Sequence, residues 1–321
     1  MSHTATQSGV PSVVPDTASA PTRWQGQLGR WRETWRVFVR SPLGVLGLVL
    51  IGLFALMSIS HPILMATIWD RTTYHPWVGF DYDAIAHPTL PSPKHLLGTD
   101  ALGRDVFSQL LYATGPSFGL GLVAGLVAVA TATTIGVVSA YYGGMIDALL
   151  MGLADAFILM PPQIVLLVVG LLFDMDWPQL ALIYGVFAGL GGLAVIMRSH
   201  ALSIKVKPYI EAARVAGGSS GYIIRTHFLP NMIPLMLLNM MFTVAGSVLT
   251  EALLSFFGRT DIRLSWGTMI WFIKETFRLS PTGEQWHAIL PPGLAIMLFC
   301  GAFYMVGRAL DDVLNPRLRR R

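Results

Sequence analysis

Apolar positions in this sequence fall into six long runs, separated by shorter stretches in which polar and charged residues collect. The runs cover residues 43–63, 117–140, 148–172, 178–197, 233–257 and 288–307. Each is near the roughly 20 residues that an α-helix needs to cross a bilayer. Six transmembrane helices are therefore expected. Pro161 and Pro162 fall inside the third run and remove backbone donors, so a kink is expected there. Glycines cluster in the second and fourth runs ("GLGLVAG" and "GLGG"), where they permit close helix contact or a narrow lining.

Composition agrees with a membrane protein: 53% of the 321 residues are hydrophobic and only 12% are charged. A soluble domain carries about twice that charged fraction. With Cys300 as the single cysteine, no intrachain disulfide can form. Residues 1–22, rich in Ser, Thr, Pro and Ala, read as a disordered leader. Residues 23–41 alternate Trp with Arg ("RWQGQLGRWRETWRVFVR"), as an amphipathic helix at a membrane surface does. Nucleic-acid binding is the alternative reading of that basic stretch, disfavoured by the spanning run that follows at once.

Charge then orients the chain. With the N-terminus in the cytoplasm, fifteen of the 22 Lys and Arg residues lie in cytoplasmic segments and seven outside. The positive-inside bias favours this arrangement, with both termini cytoplasmic. The expected organisation is a leader (1–22), an interfacial helix (23–41), a transmembrane domain (42–310) and a basic cytoplasmic tail (311–321). The domain would have outer loops at 64–116 and 258–287 and a cytoplasmic loop at 198–232.

That cytoplasmic loop contains "YIEAARVAGGSSGYIIRTHFLPN", a soluble-looking helix-turn-helix between two greasy runs. Glu211, Ala212, Ala213 and Arg214 fit a short helix that Gly217 and Gly218 can end. Ser219 or Ser220 can cap a second short helix over about 221–229. Pro230 and Pro234 then steer the chain into the fifth span. The alanines leave a slim face that another protein can approach.

These residues resemble the permease subunits of bacterial ABC importers, whose loop carries E-A-A, three residues, G, and then an apolar-x-L-P end. Here the pattern reads Glu211, Ala212, Ala213, Gly217, Leu229 and Pro230, with His227 at the usual apolar position. "HLLGTDALGRDVFSQLLYATGPS", "YYGGMIDALLMGLADAFILMPP", "EALLSFFG" and "PPGLAIMLFCGAFYMVGRALDDVLNPR" also resemble the dipeptide, oligopeptide and nickel branch. The fit is best to the second, C-type permease of the pair and covers about residues 28–318. "AGLGGLAVIMRSHAL" and "FGRTDIRLSWG" depart from the pattern, which bears on substrate identity.

The resemblance implies an all-α membrane protein with the type I ABC importer permease fold, in a bacterial or archaeal plasma (inner) membrane. It implies that Glu211, Ala212, Ala213, Arg214, Gly217, Gly218, Leu229 and Pro230 couple to an ATPase. The implied partners are a second homologous permease, two ATP-binding subunits, an extracytoplasmic solute-binding protein and the bilayer, without nucleic acid. ATP and Mg would sit on the partner subunits. The chain has no G-x-x-x-x-G-K-[ST] loop, so it is expected to be no enzyme and to bind no cofactor of its own. Peptides are the expected cargo; nickel, glutathione or an oligosaccharide are alternatives. An ion-coupled secondary transporter is the competing class, but it predicts inverted sequence halves that are not evident.

Four further expectations concern single residues. Glu211 is expected to pair with a basic group on the ATPase; the plainer role is to favour its own helix N-terminus, worth about 0.3–1 kcal/mol. Asp155 and Glu251, inside the third and fifth runs, are expected to be paired or capped structural carboxylates rather than a proton or substrate site. Asp100, Arg104 and Asp105 should fix the segment before the second span by capping and ion pairs. His75, His87 and His95 lack metal-ligand spacing, so no metal site is expected.

Overall fold

The computed structural model describes residues 35–276 and 285–314, and every element of three or more residues among them is helical. Helix α1 (Pro42–Thr67) begins at an Ser41 cap, whose hydroxyl accepts from the Gly44 amide at 3.3 Å. A short turn, α2 (Arg71–Tyr74), follows. Helix α3 (Val106–Tyr142) is capped by Asp105, whose carboxylate accepts from the Ser108 amide at 2.6 Å. Helices α4 (Gly144–Ile158) and α5 (Pro162–Leu172) come next, then α6 (Trp177–Leu190) and α7 (Gly192–Lys205). The loop helices are α8 (Pro208–Val215) and α9 (Ser220–Ile223), and a π-helical turn (Ile224–Phe228) leads into α10 (Leu229–Phe256). Helices α11 (Trp266–Thr276) and α12 (Trp286–Leu314) complete the described chain.

Four continuous helical stretches are long and apolar enough to span a bilayer: 42–67, 106–142, 220–256 and 286–312. The expected third and fourth spans are not single rods. α4 and α5 meet at 80°, and α6 and α7 at 50°. At the first break Pro161 takes the N-cap position of α5 and Pro162 its first turn, so the missing donors coincide with positions that need none. Counting each bent pair as one span gives up to six.

α3 is the central post. Half of its most apolar window is buried, against 17% for α1. Small residues make this possible. A Cβ on Gly185 would lie 2.7 Å from that of Val127, and one on Gly189 would lie 2.6 Å from the Ala128 carbonyl. The glycines of the fourth run thus bring α6 onto the backbone of α3, the close-contact reading. Gly121 and Gly125 likewise admit Val244 of α10. Phe54, Trp266, Phe299 and Phe303 form an aromatic core where α1, α11 and α12 converge.

Several expected boundaries shift. The first segment, expected outside over 64–116, covers 68–105 instead, because Asp105 caps α3 well before the apolar run begins. The second, expected as a loop over 258–287, contains α11, which buries Trp266, Met269 and Ile273. The final helix runs to Leu314, past the expected 310 boundary, and Arg308 pairs with Asp311 at 3.6 Å. The leader and most of the 23–41 segment lie outside the described residues. So do the remainder of the tail and Arg317. Of the interfacial segment, residues 35–39 are helical, with Trp35 stacked on a buried Phe38.

Candidate functional site

The loop between the two bent pairs and α10 is a compact knob built on three buried anchors, Ile210, Ile223 and Phe228. α8 is short and starts at Pro208; Ile210 is its one buried residue. After Val215 the chain reverses at Gly217, which adopts φ +81°, a conformation that favours glycine. The Gly218 amide then donates to the Ala213 carbonyl at 3.0 Å, closing the helix end. Ser219 caps α9, its hydroxyl accepting from the Tyr222 amide at 3.3 Å.

The sequence suggests a second short helix, separate from the fifth span. Instead α9, the π turn and α10 form one unbroken helix over 220–256. Pro230 has no amide proton for the carbonyl one turn back. The wider register absorbs this defect: the Leu229 amide bonds to the Ile224 carbonyl, five residues earlier. The knob is therefore rigidly continuous with a spanning helix.

Its inner face is locked into the bundle. Ile210, Ile223 and Phe228 pack with Val137 and Ala140 of α3, Met197 and Ala201 of α7 and Met232 of α10. Tyr141, at the end of α3, is the socket residue. Its ring meets Phe228 at 5.9 Å, its hydroxyl donates to Ser220 at 3.2 Å, and Arg214 lies over its face at 5.9 Å. Lys205 then donates to the Ala140 and Tyr141 carbonyls at 2.7 and 3.0 Å. A cation there satisfies the exposed carbonyl end of the long helix. Neither Tyr141 nor Lys205 stands out in the sequence, because what distinguishes them is which residues lie opposite.

The eight residues expected to couple are divided by the structure. Glu211, Ala212, Arg214 and Gly217 are exposed on the knob. Ala213 and Gly218 are half-buried, and Ala213 packs inward against the anchors, so only Ala212 of the alanine pair offers the slim outer face. Leu229 and Pro230 are half-buried at the root of α10, directly after the π turn. Val206 and Val215 are 80% and 85% exposed, beside exposed Tyr209 and Tyr222. Among the described residues, the Glu211 carboxylate has no hydrogen bond or ion pair.

The two intramembrane carboxylates also separate. Glu251 is fully buried; one oxygen accepts from Ser255 and Ser265 at 2.6 and 2.5 Å, while the other has no partner. It is capped, as expected, though by hydroxyls rather than by a cation. Asp155, expected to be paired or capped, is instead exposed on α4, and its carboxylate has no partner among the described residues. Among the described residues, no element covers this face of α4.

The segment between α1 and α3 is held by buried ion pairs. Asp100 takes Arg104 at 2.6 Å and Gln109 at 2.9 Å. His95 bonds Asp105 at 2.7 Å and faces Asp81 at 3.4 Å; Asp81 also bonds Lys94. Burial pushes the Asp105 carboxyl up, outweighing its Ser108 and His95 bonds. Burial also acts upward on Asp81, but the Lys94 hydrogen bond, the Asp83 amide and the nearby Lys94 and His95 charges outweigh it and hold the carboxyl below its ordinary value. His87 bonds the Thr99 hydroxyl at 3.0 Å, and His75 accepts from the Trp77 amide at 3.3 Å. Among the described residues, no three His, Cys, Asp or Glu side chains converge as metal ligands would.

Comparison with known proteins accounts for this architecture. Residues 132–320 match the family model described as binding-protein-dependent transport system inner membrane component. Residues 29–83 match the N-terminal transmembrane domain of oligopeptide transport permease C. A glutathione transport system permease protein of Pectobacterium atrosepticum is 30% identical over 293 residues, 90% of this chain and 92% of that one. A dipeptide transport system permease protein of Bacillus subtilis is 31% identical over 295 residues, covering 90% and 86%. One from Alkalihalophilus pseudofirmus is 27% identical over 317 residues, covering 98% and 99%. The knob, the bent helix pairs and the long central post are thus features of a multi-pass membrane permease, and the chain belongs to the family of binding-protein-dependent transport system inner membrane components.

Proposed function

We propose that this chain is one permease subunit of an ATP-driven importer of short peptides in a bacterial or archaeal inner membrane, with six spans and both termini in the cytoplasm. The leader, interfacial helix, transmembrane domain and basic tail keep their expected places, with the boundaries adjusted above. The importer also needs a second homologous permease, two ATP-binding subunits that hold ATP and Mg, and a solute-binding protein outside. Peptides are the favoured cargo because the relatives are named for dipeptide and glutathione transport, and glutathione is itself a tripeptide. Nickel and oligosaccharide remain alternatives.

The observation that carries this reading is the mechanical continuity of the knob. Exposed Glu211, Ala212, Val215 and Tyr222 form a surface that no other element covers among the described residues. The same knob is anchored through Ile210, Ile223 and Phe228 and runs without a break into α10. A partner that draws the knob sideways therefore tilts a spanning helix as a lever. Glu211 is placed to meet a basic group on that partner, while Ala212 and Gly217 allow close approach. Arg214 steadies the knob through Tyr141, and Gly218, Leu229 and Pro230 set its shape.

The exposed face of α4 is assigned to the second permease and the pathway between the two. A carboxylate facing lipid is costly, so Asp155 belongs against protein or water. The reading is tested by purifying the tagged chain from its native membrane, identifying the bound subunits and assaying ATPase activity in lipid. An ATP-binding subunit and a second permease, with activity raised by a solute-binding protein, are expected. A chain that purifies alone and moves solute along an ion gradient would overturn the reading.

A further inference from the structure

A cavity of about 480 Å³ opens between the end of α1, the α2 turn and the turn that follows α10. Its size falls within the range of small-molecule sites. Two of its lining groups, Arg71 and Arg263, are cationic, and His61 and His75 add imidazoles; Trp77 and Tyr112 supply aromatic walls. No carboxylate lines it among the described residues.

Asp70 accepts from the Thr72 and Thr73 hydroxyls. Arg71 and Arg263 are exposed and make no ion pair or hydrogen bond among the described residues. By contrast, Arg104 nearby is fully employed by Asp100 and by the Phe272 ring, 4.1 Å away. Two free guanidiniums around one cavity create a positive field that an anion relieves.

Histidines also line this space. His61 is only 8% exposed, and its Nε2 is buried with no hydrogen-bond partner. Its ring is held edge-on to Tyr112 at 5.1 Å and to Trp69 at 6.0 Å. His75 is also oriented: its Nδ1 accepts from the amides of Trp77 and Val78 at 3.3 and 3.4 Å. Its Nε2 therefore carries the proton and is a donor.

We propose that this cavity is a binding subsite for the free carboxylate of a small organic acid, gripped by Arg71 and Arg263 with the two imidazoles as further polar partners. Planar guanidinium forks match a carboxylate in geometry and charge. The aromatic walls suit the apolar part of the same molecule. In the importer reading, on which this choice of ligand rests, the molecule is a short peptide and the carboxylate is its C-terminus. The subsite then gives the permease a share of the selectivity: it favours peptides with a free C-terminus as they enter from the outer side.

The test is calorimetric titration of the full chain in lipid nanodiscs with L-alanyl-L-alanine and with the amide of the same dipeptide. Saturable binding of the acid is expected, with the amide weaker by roughly tenfold or more. Arg71→Gln and Arg263→Gln, both at exposed positions, should each weaken binding of the acid to a similar degree, while His61→Gln alters it without abolishing folding. Equal binding of acid and amide would overturn the proposal, as would indifference to both arginine variants. The same holds if the variants weaken only capture of the solute-binding protein and leave dipeptide binding intact, since the carboxylate would then come from a partner's acidic side chain. The titration uses neither ATP nor ATPase subunits, so failure of the importer reading would show separately, in the co-purification.

Discussion

Arg198 of α7 grips Asp147 of α4 with both arms of its guanidinium, Nε to Oδ1 at 2.6 Å and Nη2 to Oδ2 at 2.5 Å. The pair closes a loop of 51 residues and ties one bent helix pair to the other. Ser139 of α3 joins through its hydroxyl, so three elements meet at one carboxylate. A lysine keeps the charge but not the fork. Arg198→Lys is therefore expected to destabilise the protein by about 1–3 kcal/mol, the scale of hydrogen bonds to charged groups. Thermal unfolding in detergent checks this, and Asp147→Asn in the Arg198→Lys background should add little if the two act as a unit.

The knob makes two distinguishable demands. Glu211→Lys reverses the charge on an exposed residue, so it should abolish transport while the protein remains folded in the membrane. Phe228→Ala removes a fully buried anchor and should cost about 3–5 kcal/mol. Transport assays beside membrane-level immunoblots separate the two effects. Full transport by the Glu211 variant would remove this residue from the coupling surface.

The contact between α6 and α3 depends on glycine at particular positions. Gly189→Ala would place a methyl 2.6 Å from the Ala128 carbonyl, in backbone that cannot move aside. The expected loss is about 1–3 kcal/mol, the usual cost of overpacking. Gly152→Ala, in α4, meets nothing within 4 Å and should instead stabilise the helix by up to about 1 kcal/mol. Unfolding midpoints of the two variants should thus move in opposite directions.

Glu251 is expected to be structural. Its Oε1 is the acceptor for two serine hydroxyls that connect α10 to the start of α11. Glu251→Gln retains an acceptor oxygen and should transport normally. Glu251→Ala leaves Ser265 without that acceptor and should lower stability by about 1–3 kcal/mol. Proton-coupled uptake lost in the Gln variant would contradict the structural role.

Acid should loosen the segment between α1 and α3 through Asp81. Its folded carboxyl is held below the unfolded value of about 4. Its contribution is therefore present above the unfolded value and lost as pH falls through the lower, folded one. Asp105 is shifted the other way, so its ionisation opposes folding over the interval up to its raised value. Asp81→Asn should flatten the low-pH fall in unfolding temperature; an unchanged fall would assign the effect to other carboxylates.

The amino-acid sequence by itself determined the class of this protein. Long uncharged runs must be helical in lipid, because no water is present to satisfy a bare backbone. Pro161–Pro162 marked a break that the structure realises as an 80° bend. The knob was legible for a related reason: Gly217 and Ser219 act locally, and local signals survive in one dimension. The tertiary structure decided what depends on distant partners. Tyr141 becomes the socket only because Phe228 and Ser220 fold back onto it. Asp155 and Glu251 look alike along the chain, yet one is exposed and the other is enclosed by serines. The fusion of the knob with α10 also escaped the sequence, since two prolines read as a stop and a π turn absorbs one of them. Periodicity and turn chemistry are properties of neighbours in sequence; burial and pairing belong to neighbours in space, and only folding chooses those.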